Sequence, residues 1–428
     1  MSETIYAPAT APGKSGVAIV RISGPASIDV LKALGGQPPE PRMSRLCRLH
    51  GSDGEVLDQA LVLYFAERAS FTGEDVVELQ CHGSMAVVKA ILTAIGQTGL
   101  ARLAEPGEFT RRALLNDQLD LTQVRGLADL IDSDTEAQRR HAMRVFDGEL
   151  TRTVQGWRRD LIRARALLEA TIDFADEDVS EDVRPEVKEL IRGVKESLKN
   201  QVLASGAAEQ IRNGFDVAII GAPNVGKSTL LNALTRSDAA IVSEVAGTTR
   251  DLIEVRLDID GCQINLIDTA GLRKTDDPVE RIGVEKARNR AEKADLRVFL
   301  YTSDGDSDPT LALRDCDVRL RSKVDLADGN SGISALTGQG IPELLNLISE
   351  RASSLSREAG LVTRSRDLQT VDAAIVELNR IERCVSDDEA ELLASDVGFV
   401  TDRLAGIIGG VDVEGILDEI FSSFCLGK

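Results

Sequence analysis

The residues best suited to chemistry form an eight-residue loop, Gly221-Ala-Pro-Asn-Val-Gly-Lys-Ser228. Its G-x-x-x-x-G-K-[ST] spacing lets backbone N–H groups wrap phosphates, while the lysine reaches the β- and γ-phosphates and the hydroxyl ligates Mg²⁺. An apolar run, 217–220, precedes the loop, and 229–234 continue it with helical spacing. Since such a string binds phosphate only between a strand and a helix N-terminus, these flanks favour a nucleotide site over a glycine-rich turn.

Two later segments supply further groups that a nucleotide site needs. Apolar and charged residues alternate up to Asp260-Gly261, and an apolar strand follows. This pattern predicts a β-hairpin that delivers Asp268 to a strand end as a carboxylate directed at Mg²⁺. Thr249, in Gly247-Thr-Thr-Arg-Asp251, offers a hydroxyl to the same metal. Together with the loop, these segments indicate a guanine-nucleotide switch.

The choice of base is assigned to Asp325, in Ser322-Lys-Val-Asp325. A carboxylate can accept from both the N1–H and the amino group of guanine, so GTP is expected rather than ATP. Ser322 replaces the asparagine of the usual Asn-Lys-x-Asp string, whose amide ties base and loop together, and weaker binding is expected. The predicted GTP-binding residues are Asn224, Val225, Gly226, Lys227, Ser228, Thr229, Ser243, Thr248, Thr249, Asp268, Thr269, Ala270, Gly271, Lys323, Asp325, Ser334, Ala335 and Leu336.

Leu272 stands where Ras-like enzymes have the glutamine that orients the attacking water. An alkyl side chain cannot orient water, so another group must do so. A second positive charge beside the transferring phosphoryl group is also expected, because an arginine finger there raises the rate about 10³- to 10⁵-fold. Asn224, inside the loop, could ligate a monovalent cation at that place.

The bulk composition bounds the number of domains and the kind of partner. A chain of 428 residues predicts about three domains. Its formal net charge of -20 argues against coating of nucleic acid by a general positive field, so any RNA contact must be local. No signal peptide or run of about 18 apolar residues is recognised, which predicts a cytoplasmic protein. The six cysteines include no C-x-x-C pair, so neither a zinc knuckle nor a disulfide framework is indicated.

Hydrophobic periodicity divides the chain into four predicted segments: 1–118, 119–210, 211–355 and 356–428. The first mixes strand-like runs with a helix that begins after Ser84 and ends near Gly99, which is typical of a small α+β domain. The second and fourth have helical spacing, and the third is α/β. The predicted fold is therefore multidomain α/β plus all-α, with a Ras-like, mostly parallel P-loop GTPase domain inserted between the halves of one helical bundle.

Several sequence motifs resemble those of the MnmE (TrmE) family of bacterial tRNA-modification GTPases, and the resemblance covers essentially the whole chain. The matching strings are the loop, Val17-Ala-Ile-Val-Arg-Ile-Ser-Gly24, Phe71-Thr-Gly-Glu-Asp-Val-Val-Glu-Leu-Gln80, Pro106-Gly-Glu-Phe109 with Leu115-Asn116, Ala246-Gly-Thr-Thr-Arg-Asp251 and Phe424-Cys-Leu-Gly-Lys428. The resemblance implies GTP hydrolysis and, with an FAD-containing partner of the MnmG (GidA) type in a heterotetramer or larger complex, modification of tRNA wobble uridine at C5. The added group is carboxymethylaminomethyl or aminomethyl, and FAD enters only through the partner.

The resemblance also implies metal sites and a catalytic carboxylate. K⁺ would be held by Asn224, Ser243, Val245 and Thr248, and Mg²⁺ by Ser228 and Thr249. Glu280 would orient the attacking water, with Lys227 as a further catalytic residue. From the sequence alone, Glu280 also fits a solvated carboxylate at a helix start. The K⁺ site is completed as two G domains of a homodimer meet, so hydrolysis should depend on K⁺.

The N-terminal domain resembles a tetrahydrofolate-binding fold that dimerises and takes a 5,10-methylene- or 5-formyl-tetrahydrofolate-type one-carbon donor. The implied folate contacts are Arg21, Glu78, Gln118 and Lys428, with Gln118 in place of the family's lysine. The alternative is that Arg21 and Glu78 simply pair with each other. Cys425 is implied to lie near the folate and the substrate uridine; a free thiol near a chain end is the alternative.

Two other functions remain as alternatives, and the role of one basic surface has two interpretations. A ribosome-assembly GTPase that binds RNA would be expected to carry a KH or other basic module, and no G-x-x-G loop in a basic setting follows the G domain. A folate-dependent one-carbon enzyme with a regulatory GTPase is the third possibility. The most basic stretch either contacts tRNA or is a solvated helix face, and it contains Arg139, Arg140, Arg144, Arg152, Arg158, Arg159, Arg163 and Arg165.

Overall fold

The computed structural model describes residues 3–173, 182–236, 241–242, 254–268, 289–302, 313–314, 317–326, 332–356, 359–385, 390–409 and 427. The chain forms two compact units, Met1–Ala128 with Ala405–Lys428, and Asp129–Leu404. Within the described ranges, no helix is both long enough and apolar enough to cross a membrane.

The first unit is built on one sheet with helices against it. Its strands are β1 (Ile5–Pro8), β2 (Ser15–Ser23), β3 (Ser44–His50), β4 (Val56–Phe65), β5 (Val76–Gly83) and β6 (Arg102–Leu103), and its helices are α1 (Ser27–Ala33), α2 (Met85–Gln97), α3 (Glu108–Leu115) and most of α4 (Leu121–Ile131), which continues past Ala128. The strand order is β3-β4-β5-β2-β1-β6. Only the β1–β6 pair among these is parallel.

The core of the first unit lies between this sheet and α2. Val20 and Leu79, on the two central strands, pack in one cluster with Ile91 and Ile95 of α2. Helix α2 begins where the sequence predicted, because the Ser84 hydroxyl accepts from the N–H of Val87 at 3.3 Å. The α+β character of this segment is thereby confirmed, although five short elements were not predicted: β1, β3, β6, α1 and α3.

The second unit combines long helices with a second sheet. Its elements, in chain order, are α5 (Glu136–Phe146), α6 (Glu149–Asp173), α7 (Arg184–Asn213), β7 (Phe215–Gly221), α8 (Lys227–Thr235), β8 (Ile241–Val242), β9 (Glu254–Ile259), β10 (Cys262–Asp268), β11 (Leu296–Tyr301), β12 (Val318–Arg321), α9 (Ile341–Ser356), α10 (Ser365–Cys384) and α11 (Ala390–Ala405). The sheet therefore lies between α7 and α10 along the chain, as the predicted insertion requires. The three predicted domain boundaries themselves stay predictions.

The helical part of this unit buries the apolar faces that the sequence predicted. Trp157 and Leu161 of α6 and Ile191 of α7 are buried. The Trp157 indole N–H donates to the Ser197 hydroxyl at 2.9 Å, which joins α6 to α7. Helix α5 lies in the arginine-rich stretch, inside the segment predicted to be helical, although its bounds were not predicted. It begins with a capping box in which Thr135 and Gln138 satisfy each other's backbone N–H groups.

The second sheet is mostly parallel, as predicted, in the order β12-β11-β7-β10-β9-β8. The first four strands are parallel, and β9 and β8 add antiparallel to the edge. The predicted hairpin is present between β9 and β10. Asp260 and Gly261 have φ values of +52° and +81°, and two successive positive φ values are the mark of a type I′ turn.

Candidate functional site

The loop after β7 has the geometry of a phosphate cradle. A Cβ added at Gly221 would lie 2.5 Å from the carbonyl oxygen of Leu300 on β11, so the chain can leave the sheet there only with glycine. Asn224 and Gly226 have φ values of +65° and +104°, and α8 begins directly afterwards. The backbone N–H groups at the N-terminus of α8 therefore lie next to the loop, which is the arrangement that binds anions.

The charged and hydroxyl groups of the loop lie beside it. The Lys227 ammonium donates to the carbonyl oxygens of Gly221 and Ala222 at 2.6 and 3.0 Å, which holds it over the loop. Ser228 is exposed on the first turn of α8. Asp268 ends β10 in register with Ile219, so this strand ends next to the start of the loop. These residues fit the phosphates of a nucleoside triphosphate.

The base-recognition segment is tied to the loop through Ser322. Its hydroxyl, only 7% exposed, donates to the carbonyl oxygen of Val225 at 2.7 Å. The connection that the missing asparagine would make between the base and the loop is therefore kept on the loop side by the serine hydroxyl. Whether GTP binds more weakly stays a prediction.

A second serine orients the base-directed carboxylate. The buried Ser334 hydroxyl donates to Asp325 Oδ1 at 2.6 Å and accepts from the N–H of Thr337 at 3.2 Å. Asp325 itself is exposed, with its remaining acceptors available to solvent or a ligand. Leu336, which was predicted beside the base, is 82% exposed. The structure thus brings the loop, Ser322, Asp325 and Ser334 into one place.

Several predicted site residues lie outside the described residues. They are Ser243, Val245, Thr248, Thr249, Thr269, Ala270, Gly271, Leu272, Glu280, Cys425 and Lys428. For Asp268 the structure describes the backbone but not the side chain. The K⁺ and Mg²⁺ ligand sets and the roles of Glu280 and Cys425 therefore stay predictions.

In the first unit, Arg21 and Glu78 are cross-strand neighbours on β2 and β5 and form an ion pair at 2.9 Å. The Arg21 guanidinium also lies 5.6 Å from the ring centroid of Phe71 and 5.7 Å from that of Phe109. Its Nη1 donates to the carbonyl oxygen of Gly427 at 3.3 Å. The pairing that the sequence left as an alternative is therefore real, and a ligand would meet an arginine that already has partners.

Gly427 and the rings of Phe71 and Phe109 were not among the predicted site residues. A Cβ added at Gly427 would collide with the carbonyl oxygen of Pro8, so the chain end can approach β1 only with glycine there. The signal was present, because Phe71, Phe109 and Gly427 all belong to the motif strings. Gln118 lies just after α3 and next to Gly73, and its side-chain N–H donates to the carbonyl oxygen of Asn116 at 3.0 Å.

The arginine-rich stretch is an exposed surface whose charges are largely paired locally. Arg139 and Arg140 both bind Glu136, and their hydrogen bonds lower the pKa of that carboxyl to about 2. Arg144 pairs with Glu149 in the same way. Neighbouring carboxylates reduce the positive field, so the geometry favours a solvated helix face over a phosphate-binding surface.

Comparisons with known proteins agree with this architecture. Residues 121–425 match the family model of the MnmE helical domain, and residues 4–118 match that of the GTP-binding protein TrmE N-terminus. The tRNA modification GTPases MnmE of Ruegeria sp. (strain TM1040) and Cereibacter sphaeroides (strain ATCC 17029) are 51% and 52% identical to this chain, and each alignment spans 100% of both chains. Among solved structures, Aquifex aeolicus Era bound to GDP.AlF4- aligns with 32% of this chain and 56% of that chain, at 29% identity and a TM-score of 0.26. On its two domain matches and its full-length relatives, the chain belongs to the MnmE family of tRNA modification GTPases.

Proposed function

We propose that this chain hydrolyses GTP to GDP in a K⁺-dependent reaction and, with an FAD-containing MnmG-type partner, modifies C5 of the wobble uridine of certain tRNAs. The observation that carries the GTPase part is the hydrogen bond from Ser322 to Val225, because it joins the base-directed segment to the phosphate loop. Family membership supports the tRNA part.

Each residue at the nucleotide site has a distinct task. The Lys227 ammonium, now on the loop carbonyls, is placed to move onto the β- and γ-phosphates. Asp325, held by Ser334, would accept both donors of guanine. Ser228 and Thr249 would hold Mg²⁺, which when bound supplies positive charge to the phosphates. Glu280 would orient water, a task that Leu272 cannot perform.

The K⁺ part of the proposal rests on Asn224. Asn224 lies inside the loop with a left-handed backbone conformation, and its side chain is exposed. The side chain can therefore turn toward a cation beside the phosphates. Ser243, Val245 and Thr248 would complete the ligand set. As two G domains approach in the homodimer, such a cation supplies the positive charge that an arginine finger supplies elsewhere.

The nucleotide proposal is tested by GTP hydrolysis of the full chain in matched K⁺ and Na⁺ buffers. We expect hydrolysis to be fast only in K⁺ and to increase with protein concentration as dimers form. Equal rates in the two buffers would refute the K⁺ site. In a competition against labelled GTP, ATP should be much weaker than unlabelled GTP, and equal competition would refute the base assignment.

A 5,10-methylene- or 5-formyl-tetrahydrofolate-type donor is proposed to bind near Arg21. Arginine suits an anionic glutamate tail, and the Glu78 carboxylate suits the amino-pyrimidine edge of a pterin. Because these two side chains already pair at 2.9 Å, the ligand must insert between them or use their outer faces. Lys428 and Cys425, which lie within two residues of Gly427 in sequence, are proposed to act at the same place, and Gln118 is proposed as a further contact.

The tRNA part is tested by mass spectrometry of wobble nucleosides from a deletion strain. Loss of the carboxymethylaminomethyl or aminomethyl group at C5 of the wobble uridine is the expected result. Normal wobble nucleosides with defective ribosome assembly would instead favour an RNA-binding assembly GTPase. Normal nucleosides with altered folate pools would favour a one-carbon enzyme with a regulatory GTPase.

A further inference from the structure

Three amide side chains form a hydrogen-bonded chain where the helices of the second unit meet its sheet. Gln138 of α5 donates to Gln263 Oε1 at 2.7 Å, and Gln263 of β10 donates to Asn265 Oδ1 at 2.9 Å. Gln138 is 9% exposed and Asn265 only 2%. We refer to Gln138, Gln263 and Asn265 as the amide cluster. Buried amides of this kind are costly to leave unpaired, so their geometry is strongly constrained.

The amide cluster holds the backbone where α7 passes into β7. Gln138 donates to the carbonyl oxygen of Arg212 at 3.2 Å, and Asn265 donates to that of Asn213 at 3.0 Å. The next residue, Gly214, has a φ of +92°, and a Cβ there would lie 2.6 Å from Asn265 Nδ2. The end of α7 is thus held by side chains from β10 and from α5, and the two β10 side chains, Asn265 and Gln263, need the glycine to come this close.

From Asn265 the polar contacts continue to the start of β7. Asn265 donates to Asp216 Oδ1 at 2.8 Å, and Arg290 pairs with the same carboxylate at 3.3 Å. Arg290 lies in the helical stretch 289–293, directly before β11. Asp216 and Asp295 are also joined, since the Asp216 N–H donates to Asp295 Oδ2 at 2.8 Å. The contacts therefore join β7 and β10 to the segment directly before β11, at the end of these strands opposite the phosphate loop.

The hairpin between β9 and β10 fastens α5 to the sheet a second time. The N–H of Ala137, in the first turn of α5, donates to the carbonyl oxygen of Gly261 at 2.9 Å. The neighbouring Asp260 accepts from the Ser349 hydroxyl of α9 at 2.5 Å. The turn thus satisfies an N–H at the start of α5 and is itself held by α9. A displacement of β10 must therefore displace the start of α5 or break its hydrogen bond to Gly261.

Both strands that carry the nucleotide groups begin in this region. In β7 (Phe215–Gly221), Asp216 lies five residues before the loop at Gly221, and in β10 (Cys262–Asp268), Asn265 lies three residues before Asp268. At about 3.3 Å per residue these are spans of roughly 10–17 Å of extended chain, which transmit a displacement along their length. A shift of β10 against β7 at the nucleotide end would have to move α5 and α7 or break the amide hydrogen bonds.

We propose that the amide cluster is a set of positioning residues that transmits the nucleotide-dependent position of β10 against β7 to helices α5 and α7. The inference rests on the proposed function, in which GTP hydrolysis drives tRNA modification. Coupling between two sites requires an element whose arrangement both sites bias, and the junction of α7 and β7 is that element here.

The proposal is tested with Gln138→Met, which keeps the length of the side chain and removes its amide. We expect GTP hydrolysis to stay within about twofold of wild type, while tRNA modified per GTP hydrolysed falls about 5- to 150-fold, the usual range of coupling between sites. The matched control is Arg140→Met on the exposed side of α5, which should change neither quantity. Wild-type modification by Gln138→Met would overturn the proposal. A parallel loss of hydrolysis and modification would also overturn it, because the cluster would then act on the nucleotide site or on stability.

A second measurement separates this inference from the tRNA function. Amide hydrogen exchange of the wild-type chain is compared with GDP and with a non-hydrolysable GTP analogue. We expect nucleotide-dependent exchange in α5 and in the last turns of α7, and we expect Gln138→Met to lose the difference in α5 while keeping it in α8. Identical exchange of α5 in the two wild-type nucleotide states would overturn the proposal even if tRNA modification is confirmed.

Discussion

His141 of α5 should make the stability of the second unit strongly dependent on pH below neutrality. The side chain is 6% exposed, and neither ring nitrogen has a hydrogen-bond partner among the residues that the structure describes. Burial, aided by the charges of Arg144 and Arg212 and opposed by Glu149, lowers its pKa from 6.5 to about 4. The folded protein therefore keeps the imidazole neutral at pH values where the unfolded chain protonates it.

The size of the effect follows from the two pKa values. Because the folded pKa is the lower one, the contribution of His141 to stability is fully present above about pH 6.5 and is lost as the pH falls toward 4. The full window of about 2.5 pH units corresponds to about 3 kcal/mol. Between pH 7.5 and pH 5 the expected loss in unfolding free energy is about 2 kcal/mol.

The assay is urea unfolding of wild type and His141→Leu at pH 7.5 and pH 5, followed by Trp157 fluorescence. Trp157 is the one tryptophan of the chain and lies in α6, which packs against α5. Carboxylate titration is common to both proteins, so their difference isolates His141. The variant should gain about 2 kcal/mol on wild type as the pH falls. A difference that is the same at both pH values would refute the buried, neutral imidazole.

Three further substitutions test separate contacts. Ser322→Ala removes the hydrogen bond to Val225 and should weaken GTP binding about 2- to 13-fold in an equilibrium titration, whereas Ser322→Thr should not. Arg297→Met leaves the Asp317 carboxylate, 2% exposed, without its guanidinium and should lower the unfolding free energy by about 3–5 kcal/mol. Gly427→Ala should displace the chain end from Arg21 and lower tRNA modification on the order of 10²-fold with GTP hydrolysis unchanged.

Each of these has an outcome that would contradict it. Equal GTP affinity in Ser322→Ala would mean that the loop does not depend on this contact. For Arg297, the double variant with Asp317→Leu should recover most of the lost stability, and no recovery would show that the charge left behind is not the cause. Normal modification by Gly427→Ala would mean that the chain end acts without the Arg21 contact.

Features defined by neighbouring residues were predicted well. The loop spacing, the Asp260-Gly261 turn and the Ser84 cap depend on backbone conformation and hydrogen bonds within a few residues. The short elements α1 and α3 were missed because seven or eight residues hold too few apolar positions to show a period. The bounds of α5 were not predicted inside the helical segment, because its charged surface obscures the apolar period, although Thr135 and Gln138 form a recognisable capping box.

The sequence by itself therefore determined the chemistry available to this protein: a phosphate loop, a guanine-directed carboxylate and the family to which these strings belong. Only the tertiary structure decided which groups meet. Ser322 reaches the loop from 97 residues away, and Arg21 reaches Gly427 across 406 residues. The amide cluster likewise joins Gln138 to a strand 125 residues later. Such contacts carry no local signal, because they arise only when packing of the core brings distant segments within hydrogen-bonding distance.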